Sequence, residues 1–450
     1  MPLDRIAERE QGLRRSLSAG QLSMIAIGGA IGTGLFLGSG FAIGFAGPSV
    51  LLSYAIGALI ALLLMGCLAE MSVAHPSSGS FGAWAEFYIG PLAGFLIRYA
   101  YWSAIVFAVG TEVTAVSVYM KFWFAGVPAW VWIVGFSALL ILANAANVRV
   151  FGSIEYVFSA LKIGAILAFL ALGAWFVFAH TGFGNYTAHG GFFPKGVSGM
   201  WVAVIVSIFS YLSIEMIAVA AGEAEDPRRA VVQAFRATGF RLAFFYLATL
   251  ALILAIVPWN EAGATESPFV RVMKATHIPA AAAIVNFVIL IAALSAMNSQ
   301  LYITTRMMFS LARAGYAPKR FGRLSARGTP VAALGLSTIG IALAAAVNAL
   351  YPESSFTLMM SISMFGAMFT WLTIFVTHLF FRRKYKGPPL SFRMWFYPWG
   401  TLLGAGLMAA VLLTTAFTAE FRMTLAYGIP FLIVLSVLYR FMRPAERNTG

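Results

Sequence analysis

One cysteine, Cys67, and five histidines are all that 450 residues offer for soft-metal or thiol chemistry. A single cysteine excludes an internal disulfide. So few His and Cys, with no clustered carboxylates in the apolar runs, supply no metal or nucleophile constellation. No cofactor, no metal and no enzymatic activity are expected. Charge is scarce as well. Charged residues make up 10% of the chain and hydrophobic ones 60%, whereas a soluble domain carries about 25% charged residues. This composition describes a polytopic membrane protein whose main partner is the lipid bilayer. Near the N-terminus there is no short apolar segment with a small-residue cleavage site. The first span is therefore expected to direct insertion, with no removable signal.

What is abundant is apolar sequence cut by short loops. Gly47-Pro48, Gly90-Pro91, Asp226-Pro227 and Gly387-Pro388-Pro389 mark some of the cuts. Twelve transmembrane helices are expected, near 20–45, 48–74, 91–120, 127–147, 154–180, 198–222, 239–259, 279–312, 330–350, 355–381, 397–418 and 422–442. Phe81 to Ile89 reads as a short helix along the membrane surface. The formal charge of +14 sits mostly in alternate loops. Arg228, Arg229, Arg313, Lys319, Arg320, Arg382, Arg383 and Lys384 fall on one side. Lys121, Lys195, Arg271, Lys274 and Arg422 fall on the other. The positive-inside rule accounts for this better than nucleic-acid binding, and it places both termini in the cytoplasm. The chain then divides into an N-terminal tail (1–19), a ten-helix core (20–396, halves 20–180 and 198–381), two accessory spans (397–443) and a C-terminal tail (444–450).

The first span contains the most unusual stretch. Gln21 to Phe45 holds no formal charge and can cross a bilayer. Within it, Gly28-Gly29-Ala30-Ile31-Gly32-Thr33-Gly34 places four glycines in seven residues. Each weakens a helix by about 1 kcal/mol relative to Ala. Small residues four apart, such as Gly28 and Gly32, also serve close helix packing. Two glycines flanking Thr33 fit a break better. Unpaired backbone groups in hydrocarbon are tolerated only beside a protein cavity. An unwound span aims free N–H groups at one end of such a site and carbonyls at the other. That polarity suits a zwitterion.

Span 6 carries the matching feature, Phe209-Ser210-Tyr211-Leu212-Ser213-Ile214-Glu215. It follows span 1 by five spans, so the two cross in opposite directions. The expectation is an inverted repeat of spans 1–5 and 6–10, with spans 1 and 6 broken at mid-membrane.

Ionisable residues inside spans are costly, about 2.5–3.5 kcal/mol each at a helix centre. Lys162, Glu112, Glu215 and Arg306 are the main ones. A buried lysine can gain and lose a proton under working conditions, which makes Lys162 a proton-coupling candidate. The alternative is a snorkelling or ion-paired lysine. Glu112 can read the distal part of a substrate, relay a proton or cap a polar network. Glu215 is placed to accept bonds from freed N–H groups of the break. Arg306 and Glu70 read as cytoplasmic contacts, and Arg98 as interfacial. Ser295 and Asn298 lie on a polar stripe of span 8 that either glues helices or approaches the centre.

These features sit among ordered motifs: Ile27-Gly28-Gly29-Ala30-Ile31-Gly32-Thr33-Gly34-Leu35-Phe36, Ala46-Gly47-Pro48, Leu68-Ala69-Glu70-Met71, Glu155 with Lys162, Ala220-Ala221-Gly222-Glu223, Asn298-Ser299 and Arg306-Met307. In that order the chain resembles bacterial permeases of the amino acid–polyamine–organocation superfamily, in the branch of aromatic, GABA, proline and lysine permeases. The resemblance runs from about Leu17 to about Arg443. It implies a leucine-transporter-like fold. It implies that the substrate carboxylate meets N–H groups around Thr33 and Gly34, beside Gly32. The amino group would meet carbonyls near Ile31 and of Phe209, Ser210 and Leu212, with Phe209 as an aromatic gate. Lys162 would stand where sodium-driven relatives hold an ion. Ser213 replaces a glycine common in such relatives and bears on pocket shape.

The expected function is import of a neutral amino acid across the bacterial inner membrane, driven by proton symport through alternating access. Proton-independent exchange, or a cationic or GABA-like substrate, is the alternative. A sensor on a transporter fold is disfavoured by short loops and tails that offer no signalling domain.

Overall fold

The computed structural model describes residues 17–77, 79–146, 148–224, 226–262, 266–278 and 280–442. The expected tail residues before Leu17 and the tail 444–450 lie outside this set. So do Asn147 and Pro279, which bound two of the expected spans. Among the described residues the regular structure is helical, apart from one isolated parallel bridge between Leu17 and Ala224.

Local sequence explains where helices begin. Helix α1 (Ala19–Ala30) is capped by Ser18, whose side chain accepts from the Gln21 N–H while the Gln21 side chain accepts from the Ser18 N–H. After a break, a π-helical turn (Gly34–Gly38) leads into α2 (Ser39–Ala46). Gly47, at φ 61°, turns the chain into α3 (Val50–Ala74). Helix α4 (Ser80–Tyr88) is the short segment expected at the membrane surface. Helix α5 (Pro91–Met120) starts on a proline whose missing N–H needs no partner. Then come α6 (Ala129–Ala146) and α7 (Val148–Phe176). The second broken helix is α8 (Gly196–Tyr211) followed by α9 (Met216–Ala220). Asp226 caps α10 (Pro227–Ile256). The remaining helices are α11 (Pro268–Ala275), α12 (Ala281–Arg313), α13 (Val331–Ser337), α14 (Ile339–Leu350), α15 (Ser355–Lys384), α16 (Trp399–Thr414) and α17 (Arg422–Met442).

Nine helical stretches among the described residues are long and apolar enough to cross a membrane. The first, Gly20–Ala74, is 55 residues long and includes both the break and the Gly47 turn. Ala129–Ala145 and Trp399–Thr414 are shorter apolar helices. Outer helices leave Leu142, Phe178, Leu413, Ile433 and Phe441 bare, as side chains facing acyl chains would be.

Helix α5 is the central post, with α12, α14 and α15 packed along it. Lipid tails give apolar side chains no hydrophobic reason to associate, so close backbone approach does the work. A side chain at Gly340 would strike the Val106 carbonyl, and one at Gly366 the Ala100 carbonyl. Arg98 differs from its expected interfacial place. It is fully buried and donates to Glu86 at 2.8 Å and to Ser310 at 3.0 Å. The physical reason is pairing: a buried arginine with a carboxylate and a hydroxyl needs no water.

Candidate functional site

The α1 helix stops at Ala30, and Ile31 leaves helical geometry at φ −84°, ψ 87°. Its N–H still reaches the Ile27 carbonyl at 3.0 Å. Beyond it the bonds shorten and then widen. Gly32 N–H donates to Ala30 O, while the N–H groups of Leu35 and Phe36 both reach Gly32 O. The Thr33 N–H leaves the chain and donates to Glu112 Oε2 at 3.3 Å. Glu112 also accepts from Gln300 Nε2 at 3.4 Å.

The second break begins after Tyr211. Leu212 is extended (φ −59°, ψ 151°) and Ser213 sits at φ 80°, in the left-handed region. That conformation explains why glycine suits this position. Glu215 organises the break. It accepts from the Ser213 N–H at 3.1 Å, from Tyr101 OH at 2.6 Å and from Trp371 Nε1 at 3.1 Å. One buried carboxylate thus ties the break to α5 and α15.

The two breaks touch. A Cβ added to Gly34 would lie 2.6 Å from Ser210 Cα, so only glycine allows this backbone contact. Lys162, on α7, reaches the first break with its ammonium. Its Nζ donates to Gly28 O at 2.5 Å and to Ile31 O at 2.9 Å. Tyr246, on α10, reaches both breaks. Its hydroxyl lies 2.7 Å from Ala30 O and 2.8 Å from Ser210 O. Three of the four carbonyls that the resemblance assigns to an amino group have protein partners here. Ile31 O receives Lys162, Ser210 O receives Tyr246, and Phe209 O receives the Leu212 N–H at 3.2 Å. Phe209 itself is buried in the last turn of α8.

Ser295 and Asn298 converge on Glu155, not on the two breaks. Ser295 Oγ donates to Glu155 Oε1, and Asn298 Nδ2 donates to Oε2 at 3.2 Å. Asn144 supports Asn298 at 2.7 Å. Glu155 in turn abuts Gly28, where an added Cβ would collide with its carboxylate and with Ser159. From sequence, Glu155 is visible only through its motif with Lys162. Its spacing from Lys162, seven residues and two helical turns, puts both on one helix face and was the available signal.

Both ends of the site are covered. On one side Phe36 meets Phe269 edge-to-face at 4.8 Å, and Ser267 bonds Phe36 O at 2.6 Å. On the other, Glu223 receives Arg306 Nε at 2.8 Å, Arg306 Nη2 at 3.3 Å and Tyr302 OH at 2.7 Å. The Arg306 guanidinium lies 3.8 Å over the Tyr302 ring, which stacks on Phe151 at 4.2 Å.

Two helices that unwind against each other, with an ammonium group on the carbonyls of one, are the construction of a membrane carrier for a small polar solute. Comparison with known proteins narrows the class. The chain belongs to the amino acid permease family, whose family model matches residues 21–442. It is similar to the gamma-aminobutyric acid permease of Bacillus subtilis (strain 168), with 38% identity over 424 residues, covering 92% of this chain and 90% of that protein. A putative histidine permease of the same organism is 36% identical over 448 residues, covering 96% and 94%. Its amino-acid permease RocE is 36% identical over 441 residues, covering 95% and 94%. The chain is a membrane transporter of the amino acid class.

Proposed function

We propose that this permease imports a neutral amino acid together with a proton across the bacterial inner membrane by alternating access. Both termini lie in the cytoplasm. The chain crosses twelve times: the long first stretch counts as two crossings, divided at Gly47, and the two shorter apolar helices each count as one. Spans 1–5 and 6–10 form the inverted repeat of a core at 20–396, and the last two spans are accessory.

The observation that carries this reading is the placement of Lys162. Its ammonium bonds two carbonyls freed by the span-1 break. A protonated lysine holds that break together, and a neutral one loses the charge assistance of both bonds, which is about half their strength. Proton occupancy and the shape of the binding site are thereby linked. The substrate carboxylate takes the N–H groups at Thr33 and Gly34, and Glu112 withdraws from Thr33 to admit it. The amino group takes carbonyls of both breaks, near Ile31 and of Phe209, Ser210 and Leu212.

A GABA-like or cationic substrate is the second reading. Glu112 favours it, since its carboxylate stands at the first break and can meet a distal cation. The similarity to the gamma-aminobutyric acid permease of Bacillus subtilis points the same way.

The test is uptake of labelled amino acids by purified protein in liposomes under an imposed pH gradient. Accumulation is expected to follow the gradient, and K162A is expected to bind substrate without concentrating it. Uptake indifferent to the gradient, with K162A still accumulating, would leave exchange as the mechanism.

A further inference from the structure

Tyr246 stands between two carbonyls with one proton to give. Ala30 O is at the end of the first half of span 1 and Ser210 O at the end of the first half of span 6. A phenol hydroxyl has a single O–H donor. It satisfies one of these acceptors at a time. Ala30 O also receives the Gly32 N–H at 3.1 Å. Ser210 O is the carbonyl that an unbroken helix would have joined to residue 214. The ring is held rigidly for this task, with Tyr211 at 4.7 Å and Tyr54 edge-on at 6.2 Å. Tyr54 OH is itself bonded to Ser210 Oγ at 2.9 Å. Tyr246 is fully buried.

We propose that Tyr246 is a positioning residue that joins the two broken helices while the carrier is empty, in the place where the substrate's ammonium joins them when it is loaded. An ammonium has three donors and can serve carbonyls of both breaks at once. With substrate bound, the two half-helices are bridged by the cargo, and the Tyr246 hydroxyl becomes redundant as a link. Without substrate, its hydroxyl contacts both breaks through one atom. Spans 1 and 6 must move together for the carrier to reorient. The step that depends on Tyr246 is therefore the return of the empty carrier. This inference rests on the amino acid transport reading given above.

Net uptake requires the empty carrier to return, whereas counterflow returns it loaded. Y246F removes one oxygen and leaves the ring between Tyr54 and Tyr211. In liposomes, net uptake by Y246F is expected to fall about tenfold, the scale of one buried hydrogen bond left unmade. Counterflow of the same labelled amino acid is expected to stay within about twofold of the unmodified protein. A merely structural role would lower both rates in the same proportion. Equal losses, or no loss in either assay, would overturn the inference. If Y246F does not accumulate in the membrane, Y246W moves the donor away from the two carbonyls and carries the same expected split. Failure of the unmodified protein to move any amino acid in either assay would instead count against the transport reading itself.

Discussion

Arg306 closes on Glu223 with two nitrogens, at 2.8 and 3.3 Å, and both side chains are buried. Glu223 ends span 6, and Arg306 belongs to α12 in span 8. The pair fastens a broken span to an unbroken one. Removing one partner from a buried ion pair costs about 3–5 kcal/mol, because the other charge stays desolvated. R306A should therefore lower the thermal unfolding midpoint of the purified protein clearly. E223Q keeps one acceptor for Arg306 Nε and Tyr302 but turns an amide donor toward Arg306 Nη2 and leaves the guanidinium charge unpaired, so it should lower the midpoint as well. Equal midpoints for R306A and the unmodified protein would show that the pair contributes nothing to closure.

Gly28 admits no side chain. A methyl there meets the carboxylate of Glu155 and the hydroxyl of Ser159, and Lys162 bonds the carbonyl of the same residue. G28A should displace the lysine contact and reduce uptake by more than about tenfold, the weight of a single charge-assisted bond. Folding should be largely intact, checked by monodispersity in detergent. Uptake at the normal rate would mean that the contact is not used.

Ser213 is a non-glycine residue at φ 80°, and its buried hydroxyl has no hydrogen-bond partner among the described residues. Both features cost stability, on the order of 1–2 kcal/mol together. S213G keeps the backbone N–H that Glu215 accepts. It should raise the unfolding midpoint by a few degrees and widen the range of side chains that compete for uptake. A lowered midpoint would show that the hydroxyl has a partner during the cycle.

On the proposed reading, Glu112, which accepts from the Thr33 N–H, competes for it with the substrate carboxylate, and two anions cannot share it. E112Q removes the repulsion. For a neutral amino acid the KM should fall several-fold. For a substrate with a second positive centre, uptake should be lost. A rise in KM for neutral substrates would assign Glu112 to the amino group and favour the GABA-like reading.

The breaks were legible because hydrocarbon punishes exposed backbone, so glycine clusters and mid-span acids stand out against it. Thr33, Gly34, Ser210 and Ser213 could be placed at them for that reason. Lys162 stood out for its charge. The partners of the freed carbonyls were not legible. Tyr246 sits in Phe244-Phe245-Tyr246, where a tyrosine looks like any aromatic facing lipid or core. Its role depends on two carbonyls 180 residues apart, and no local pattern records that distance. Glu155 was hidden in another way. Its motif with Lys162 was visible, but the motif does not say that Ser295 and Asn298 serve it. Ser295 and Asn298 were found as a stripe, but a stripe does not say which carboxylate it serves. Arg98 misled because a basic residue near a span end reads as solvent-facing until Glu86 is seen beneath it.

The backbone of Leu17 is fastened to that of Glu223 at 3.1 Å and pairs with Ala224. The chain just before span 1 and the end of span 6 thus share one rung. A fluorophore attached near Leu17 would ride with both broken spans at once. A second fluorophore at the end of α17 would ride with the helix whose Tyr427 is bonded to Ser103 on the central post, at 2.6 Å. Energy transfer between the two dyes would then read the stroke of the carrier directly, one cycle at a time.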